Sequence, residues 1–115
     1  MEPRTTRLYQ WHVDHGARCT TFGGWSMPLS YPAGTLAEHH ATRRSAGLFD
    51  IDHMGQFLVS GKDAEAYLDS VVSSSIATLP PGSSRYGLLC RDDGGVIDDV
   101  FVYRDDASFL VVVNA

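Results

Sequence analysis

At 115 residues and a formal charge of −5 at pH 7, the chain lacks the basic stripe that nucleic-acid binders set against phosphates, so nucleic acid is not an expected partner. Apolar residues make up 43% and charged residues 20%, which excludes a disordered tail and allows one domain with a modest core. No window reaches the roughly 18 apolar residues of a membrane span, and no apolar signal core follows Met1 to Arg7, so a cytoplasmic protein with no membrane partner is expected.

In chain order, apolar residues at 8, 9, 11 and 13 suggest a short helix over Leu8 to His15, closed by Gly16 in a left-handed cap. Phe22 to Pro32 mixes glycine, proline and aromatics and is expected to be irregular, held down by burial of its rings. From Thr35 to Ala46 helix formers dominate, with Thr35 as N-cap, Glu38 as its capping-box partner and Gly47 as terminator. Leu48 to Met54 and Gly55 to Ser60 read as extended. A helix follows from Asp63 to about Val72, with Ala64, Tyr67, Leu68 and Val71 on one face.

The last third reads as strands. Tyr86 to Cys90, Gly95 to Tyr103 and Ser108 to Asn114 alternate or run apolar, and they are joined through Asp92-Asp93-Gly94 and Asp105-Asp106, which predicts a meander of hairpins. The class is therefore α+β, with antiparallel strands and two or three helices. The chain stops on the β-branched run Val111-Val112-Val113, so it is expected to be an incomplete part of a longer protein. An exposed edge there predicts self-association through the C-terminal strand.

The stretch that points to chemistry is Gly94-Gly95-Val96-Ile97-Asp98-Asp99-Val100-Phe101-Val102-Tyr103. A strand's period of two puts Val96, Asp98, Val100 and Val102 on one face and Ile97, Asp99, Phe101 and Tyr103 on the other, so each apolar face carries one carboxylate. A carboxylate among valines needs a hydrogen-bonding partner, a ligand included, or a place in solvent at a strand end. Spacing does not choose between the two aspartates.

Other constellations carry less. The histidines 12, 15, 39, 40 and 53 include no HExxH or i,i+4 pair, and adjacent His39 and His40 diverge by about 100° on a helix, so no metal site is expected. Cys19 and Cys90 form no metal or disulfide pattern and read as free thiols in a reducing compartment. Neither Gly23-Gly24 nor Gly94-Gly95 belongs to a phosphate-loop motif; both read as turns.

A set of collinear strings resembles the T protein of the glycine cleavage system. These are Leu8-Tyr9 with Trp11-His12, Gly16-Ala17-Arg18, Phe22-Gly23-Gly24-Trp25 with Met27-Pro28, Glu38-His39, Gly47-Leu48-Phe49-Asp50, His53-Met54-Gly55 and Gly94 to Asp99. The resemblance implies the first part of the folate-binding domain of the T-protein clover-leaf fold, which makes 1–115 one N-terminal, incomplete piece of that domain. It implies an aminomethyltransferase of glycine catabolism and one-carbon metabolism. Such an enzyme moves a one-carbon unit from the aminomethyl-lipoyl arm of the H protein to tetrahydrofolate, with release of ammonia. Lipoylated H protein and tetrahydrofolate are the implied partners, and no metal is implied.

By the same resemblance Asp98 is the catalytic residue, accepting a hydrogen bond from the pteridine-side amine of folate and so orienting and activating its nitrogen. Met54, Tyr86 and Asn114 are implied pocket-lining residues. Two departures stand out: Asp52 occupies a position usually held by serine, and Ser73-Ser74-Ser75 replaces a more usual Thr-Asn-Asp. For folate's anionic tail the chain offers only Arg18, Arg43, Arg44, Arg85, Arg91 and Arg104, so the fragment alone is expected to be inactive. The alternatives are a folate-dependent demethylase-like domain and a non-catalytic folate-binding or interaction module.

Overall fold

Arg4–Thr5 (β1) opens the first of two units into which the chain divides, one running up to His53 and the other Met54–Ala115. The structure is a computed structural model that describes residues 2–115. Among the described residues it is a mixed α+β chain with two sheets and three helices.

In the first unit Tyr9–Asp14 forms α1, and the chain leaves it through Gly16 at φ 71°. The Gly16 N–H donates to Val13 O at 3.0 Å and the Ala17 N–H to His12 O at 2.9 Å, the paired bonds of a Schellman cap, as the glycine predicts. Arg18–Phe22 (β2) and Trp25–Ser30 (β3) then pair antiparallel, and β1 lies parallel to β3 on its other side. This corrects the irregular segment expected over Phe22 to Pro32. Gly23 and Gly24, at φ 55° and 82°, supply the two left-handed residues of a tight hairpin turn between the Phe22/Trp25 pair. Pro28 is tolerated because β1 pairs only with Trp25 and Ser26, so nothing on that side needs its missing N–H. Phe22 is largely exposed rather than buried.

Thr35–Arg44 forms α2, two residues shorter than expected, and no capping box forms. Gly34 is the N-cap, and the Glu38 carboxylate instead accepts the Tyr31 backbone N–H at 2.8 Å, tying the helix to the segment before it. Leu48 to His53 follows without regular strand pairing.

The second unit is a four-stranded antiparallel sheet in the order β4-β7-β6-β5, built from Gly55–Ser60 (β4), Ser84–Cys90 (β5), Val96–Arg104 (β6) and Ser108–Val113 (β7). Helix α3, Ala64–Val71, and the segment after it cover one face. Ala64, Leu68, Val72, Ile76 and Leu79 pack there against Val100, Val102, Phe109 and Val111. Tyr67 and Val71 stay exposed, so the buried helix stripe is narrower than the four-residue face expected. The other sheet face leaves Leu58, Tyr86, Phe101 and Tyr103 exposed, with Phe101 ring centroids 5.5 Å from Tyr86 and 6.1 Å from Tyr103.

Strand β7 is not an edge. It is paired to β4 from Ser108 to Val113 and to β6 from Phe109 to Val112, so the expected self-association through the C-terminal strand loses its basis. The serines of the 73–75 departure act locally. Ser73 Oγ accepts the Leu88 N–H at 2.9 Å, and Ser74 Oγ donates to Tyr86 O at 2.7 Å, fixing the exit of α3 to β5.

Candidate functional site

The alternation read from β6 is present. Val100 and Val102 are buried against the core, whereas Ile97, Phe101 and Tyr103 lie on the exposed face. Asp98 shares the buried face but sits two residues nearer the strand's start, half-buried, where the core runs out. Its carboxylate is held on both oxygens by one residue: Asn114 Nδ2 donates to Oδ1 at 2.7 Å and the Asn114 backbone N–H to Oδ2 at 3.2 Å.

Asp99 joins the same group from the opposite face. Its Oδ1 accepts from Asn114 Nδ2 at 2.8 Å, and its Oδ2 accepts from Tyr86 Oη at 3.1 Å. The Tyr86 phenol is pushed up from its ordinary value by that hydrogen bond, with burial and the Asp99 charge adding to it, so it keeps its proton and serves as a donor. Three of the four residues implied by the resemblance are therefore brought together: Asp98 and Asn114 are bonded directly, and Asp99 joins Tyr86 to them. Met54 precedes Gly55, which pairs with Val113, and so lies at the same end of the β4–β7 ladder without a polar link to the others.

Two carboxylates and an amide can accept N–H donors and orient an amine. Each Asp98 oxygen has one lone pair taken by Asn114 and others free, an arrangement suited to receiving the N–H of a ligand. No nucleophile–base pair lies among these contacts, so covalent catalysis has no support here.

A second polar cluster, which the sequence did not disclose, lies in the first unit. His12 Nε2 is 2.8 Å from Asp50 Oδ2, and its Nδ1 is 2.7 Å from Tyr31 Oη. Thr6 Oγ1 donates to Asp50 Oδ2 at 2.7 Å, and the Asp52 N–H to Asp50 Oδ1 at 3.0 Å. The His12 and Asp50 side chains are only 4% and 2% exposed. Burial alone would push the Asp50 carboxyl up, but the hydrogen bonds from His12, Thr6 and the Asp52 backbone, with the His12 charge, hold it below its ordinary 3.8. Burial pushes the Tyr31 phenol up, and the charges of Glu38, Cys19 and Asp50 add to that. This is the wrong direction for an activated nucleophile, so the Asp50-His12-Tyr31 line reads as a structural lock. The departure Asp52 belongs to it, accepting the Arg7 N–H at 3.1 Å. Only pairing across 38 residues reveals the cluster, and no local periodicity carries that.

A hollow of about 270 Å³ lies at the far end of the sheet, lined by Lys62, Glu65, Arg104 and Asp105 among others. Arg104 is already committed there to Glu65 at 2.7 Å and to Leu79 O at 3.0 Å. Among the described residues no group of three or more histidine, cysteine or acidic side chains is placed to hold a metal, and no helix is long and apolar enough to cross a membrane.

The chain is an α+β domain whose sheet end gathers two carboxylates on one amide. Residues 8–115 match the GCVT N-terminal domain, and the chain belongs to that family. Aminomethyltransferases are similar along nearly all of it. The protein of Chlorobium phaeobacteroides is 44% identical over 113 residues, 97% of this chain, and that of Desulforamulus reducens is 44% identical over 115 residues, 99% of this chain. The crystal structure of glycine cleavage system aminomethyltransferase T from Bartonella henselae superposes with a TM-score of 0.91 at 42% identity, covering 97% of this chain. In each case the chain spans 31% of the relative's length.

Proposed function

We propose that this chain supplies the Asp98 folate subsite of a glycine cleavage T-protein aminomethyltransferase. The reaction passes a one-carbon unit from the aminomethyl-lipoyl arm of the H protein to tetrahydrofolate and releases ammonia. The observation that carries the reading is the Asp98 carboxylate, pinned on both oxygens by Asn114 yet left with free lone pairs at a half-exposed sheet end. There it accepts the N–H of the pteridine-side amine, which orients the nitrogen and raises its electron density for attack on the incoming carbon. Tyr86, Asn114 and Met54 line the same end of the sheet and frame the heterocycle. Arg85 donates to Thr78 Oγ1 at 2.7 Å and to Ser75 O, and Arg104 is paired with Glu65, so both are engaged away from any anionic tail. That leaves Arg18, Arg43, Arg44 and Arg91 of this chain for the tail, alongside whatever the relatives carry outside the matched 31% of their length.

The test is a hybrid in which this chain replaces the matching segment of the Bartonella henselae enzyme. The hybrid is expected to support aminomethyl transfer, and Asp98→Asn within it to lower turnover by roughly 10²–10⁴-fold, the span of a lost general acid–base or orienting group. Turnover unchanged by Asp98→Asn removes Asp98 from the mechanism.

A further inference from the structure

Successive residues of a strand point to opposite faces, so Asp98 and Asp99 have no reason to share a partner. Their carboxylates nevertheless end on the same nitrogen, with Asn114 Nδ2 2.7 Å from Asp98 Oδ1 and 2.8 Å from Asp99 Oδ1. Register accounts for the meeting. Phe101 pairs with Val112, which places Asn114 opposite Asp99 just past the end of β7. The amide therefore stands beyond the last ladder rung, where a side chain from either face of β6 can reach it. Asn114 Nδ2 also lies 3.3 Å from Asp99 O, so the contact is centred on Asp99 as much as on Asp98.

The chemistry of the three groups is one-sided. Two ionised carboxylates offer only lone pairs, and an asparagine side chain offers two N–H donors at one end and an acceptor at the other. Only one of the two amide orientations satisfies both aspartates. We propose that Asp99 is a positioning residue for Asp98: by accepting one Asn114 N–H, it fixes the amide in the orientation that donates the other to Asp98. The inference rests on reading Asp98 as the folate-facing carboxylate and assigns its neighbour a distinct task.

Tyr86 completes the arrangement, donating its O–H to Asp99 Oδ2 at 3.1 Å and leaving Oδ1 to Asn114. Donation thus runs from Tyr86 to Asp99 and from Asn114 to both aspartates. Without the Asp99 carboxylate, the Asn114 amide keeps one N–H on Asp98 but loses the stronger of the two acceptors on Asp99, leaving the backbone oxygen at 3.3 Å. The last torsion of Asn114 is then less restrained, and the 2.7 Å bond to Asp98 is held less firmly.

The Asn114 side-chain resonance in a ¹⁵N correlation spectrum of the 115-residue chain reads this directly. In the wild type both Nδ2 protons are expected downfield of a free amide. In Asp99→Ala both move toward the free position although Asp98 is intact, and the amide exchanges with solvent roughly tenfold faster, the order expected for one lost charge-assisted hydrogen bond. Asp99→Leu, which keeps the side-chain volume and removes the acceptors, gives the same loss. Asp99→Asn restores the wild-type signals, because its Oδ1 still accepts from Asn114 while its amide nitrogen donates to Tyr86 Oη; a purely structural role predicts no such split. The proposal is overturned if Asn114 is unchanged in Asp99→Ala and Asp99→Leu, or if Asp99→Asn is as disturbed as they are. Titration with tetrahydrofolate is read separately: absence of Asp98-dependent binding removes the folate reading and leaves the Asp99–Asn114–Asp98 coupling as measured.

Discussion

At the scale of single residues, the first unit depends on a carboxylate that is neutralised in place. Removing His12 takes one buried hydrogen-bond partner from Asp50 and one from Tyr31, a loss of about 1–3 kcal/mol for each group left unsatisfied. His12→Ala is therefore expected to destabilise the first unit by that order. Both tryptophans, Trp11 and Trp25, lie in this unit, so tryptophan fluorescence in a urea titration follows it selectively. The pH dependence has a definite sign. Asp50 is held below its unfolded value, so its contribution is complete above about pH 4 and is lost as pH falls through the lower, folded value. Fluorescence-detected acid unfolding is expected to begin below pH 4, and Asp50→Asn to remove that component of the transition. How far such residues are legible in sequence differs between the two units. One carboxylate per face of β6 marked Asp98 and Asp99 as each needing a partner or a place in solvent, because strand alternation is local. Their meeting on Asn114, 16 and 15 residues away, depends on register between strands, and the Asp50–His12 pair depends on the path of a whole unit.

At the scale of elements, strong periodicity or a terminating glycine was enough for α1, α3 and the four strands of the second sheet. The β2–β3 hairpin was obscured because Pro28 and the crowded aromatics argue for a loop, while the decisive signal is the Gly23-Gly24 pair set between two extended runs. In α2, the capping box read from Thr35 and Glu38 does not form, since Gly34 rather than Thr35 is the N-cap and the Glu38 carboxylate accepts the Tyr31 N–H instead. Contact between β5 and the segment after α3 rests on a missing side chain. A Cβ at Gly87 would run into the Val72 side chain and crowd Ser74. Gly87→Ala is expected to cost about 1–3 kcal/mol, the usual range for overpacking a filled core, as a lowered urea midpoint with little change in slope. Unaltered stability would mean that the packing of Val72 on β5 is looser than described.

At the scale of the whole chain, the fold class follows from the order of elements, while the extent of the functional unit does not. The same residues that build a self-consistent sheet also leave Tyr86, Phe101 and Tyr103 exposed on its open face. The chain spans 31% of the length of its aminomethyltransferase relatives, and the proposed function accordingly assigns it a subsite rather than the whole reaction. The central contact of the proposed site is the one between a ligand N–H and the free lone pairs of Asp98.

That contact is tested by titrating tetrahydrofolate into the ¹⁵N-labelled chain and following Asn114 and Tyr86, a measurement sensitive to weak binding. Saturable shifts are expected at both residues, with little change at Lys62 and Glu65 around the distal hollow, and their loss in Asp98→Asn. Shifts that persist undiminished in Asp98→Asn, or that cluster away from this end of the sheet, would contradict it.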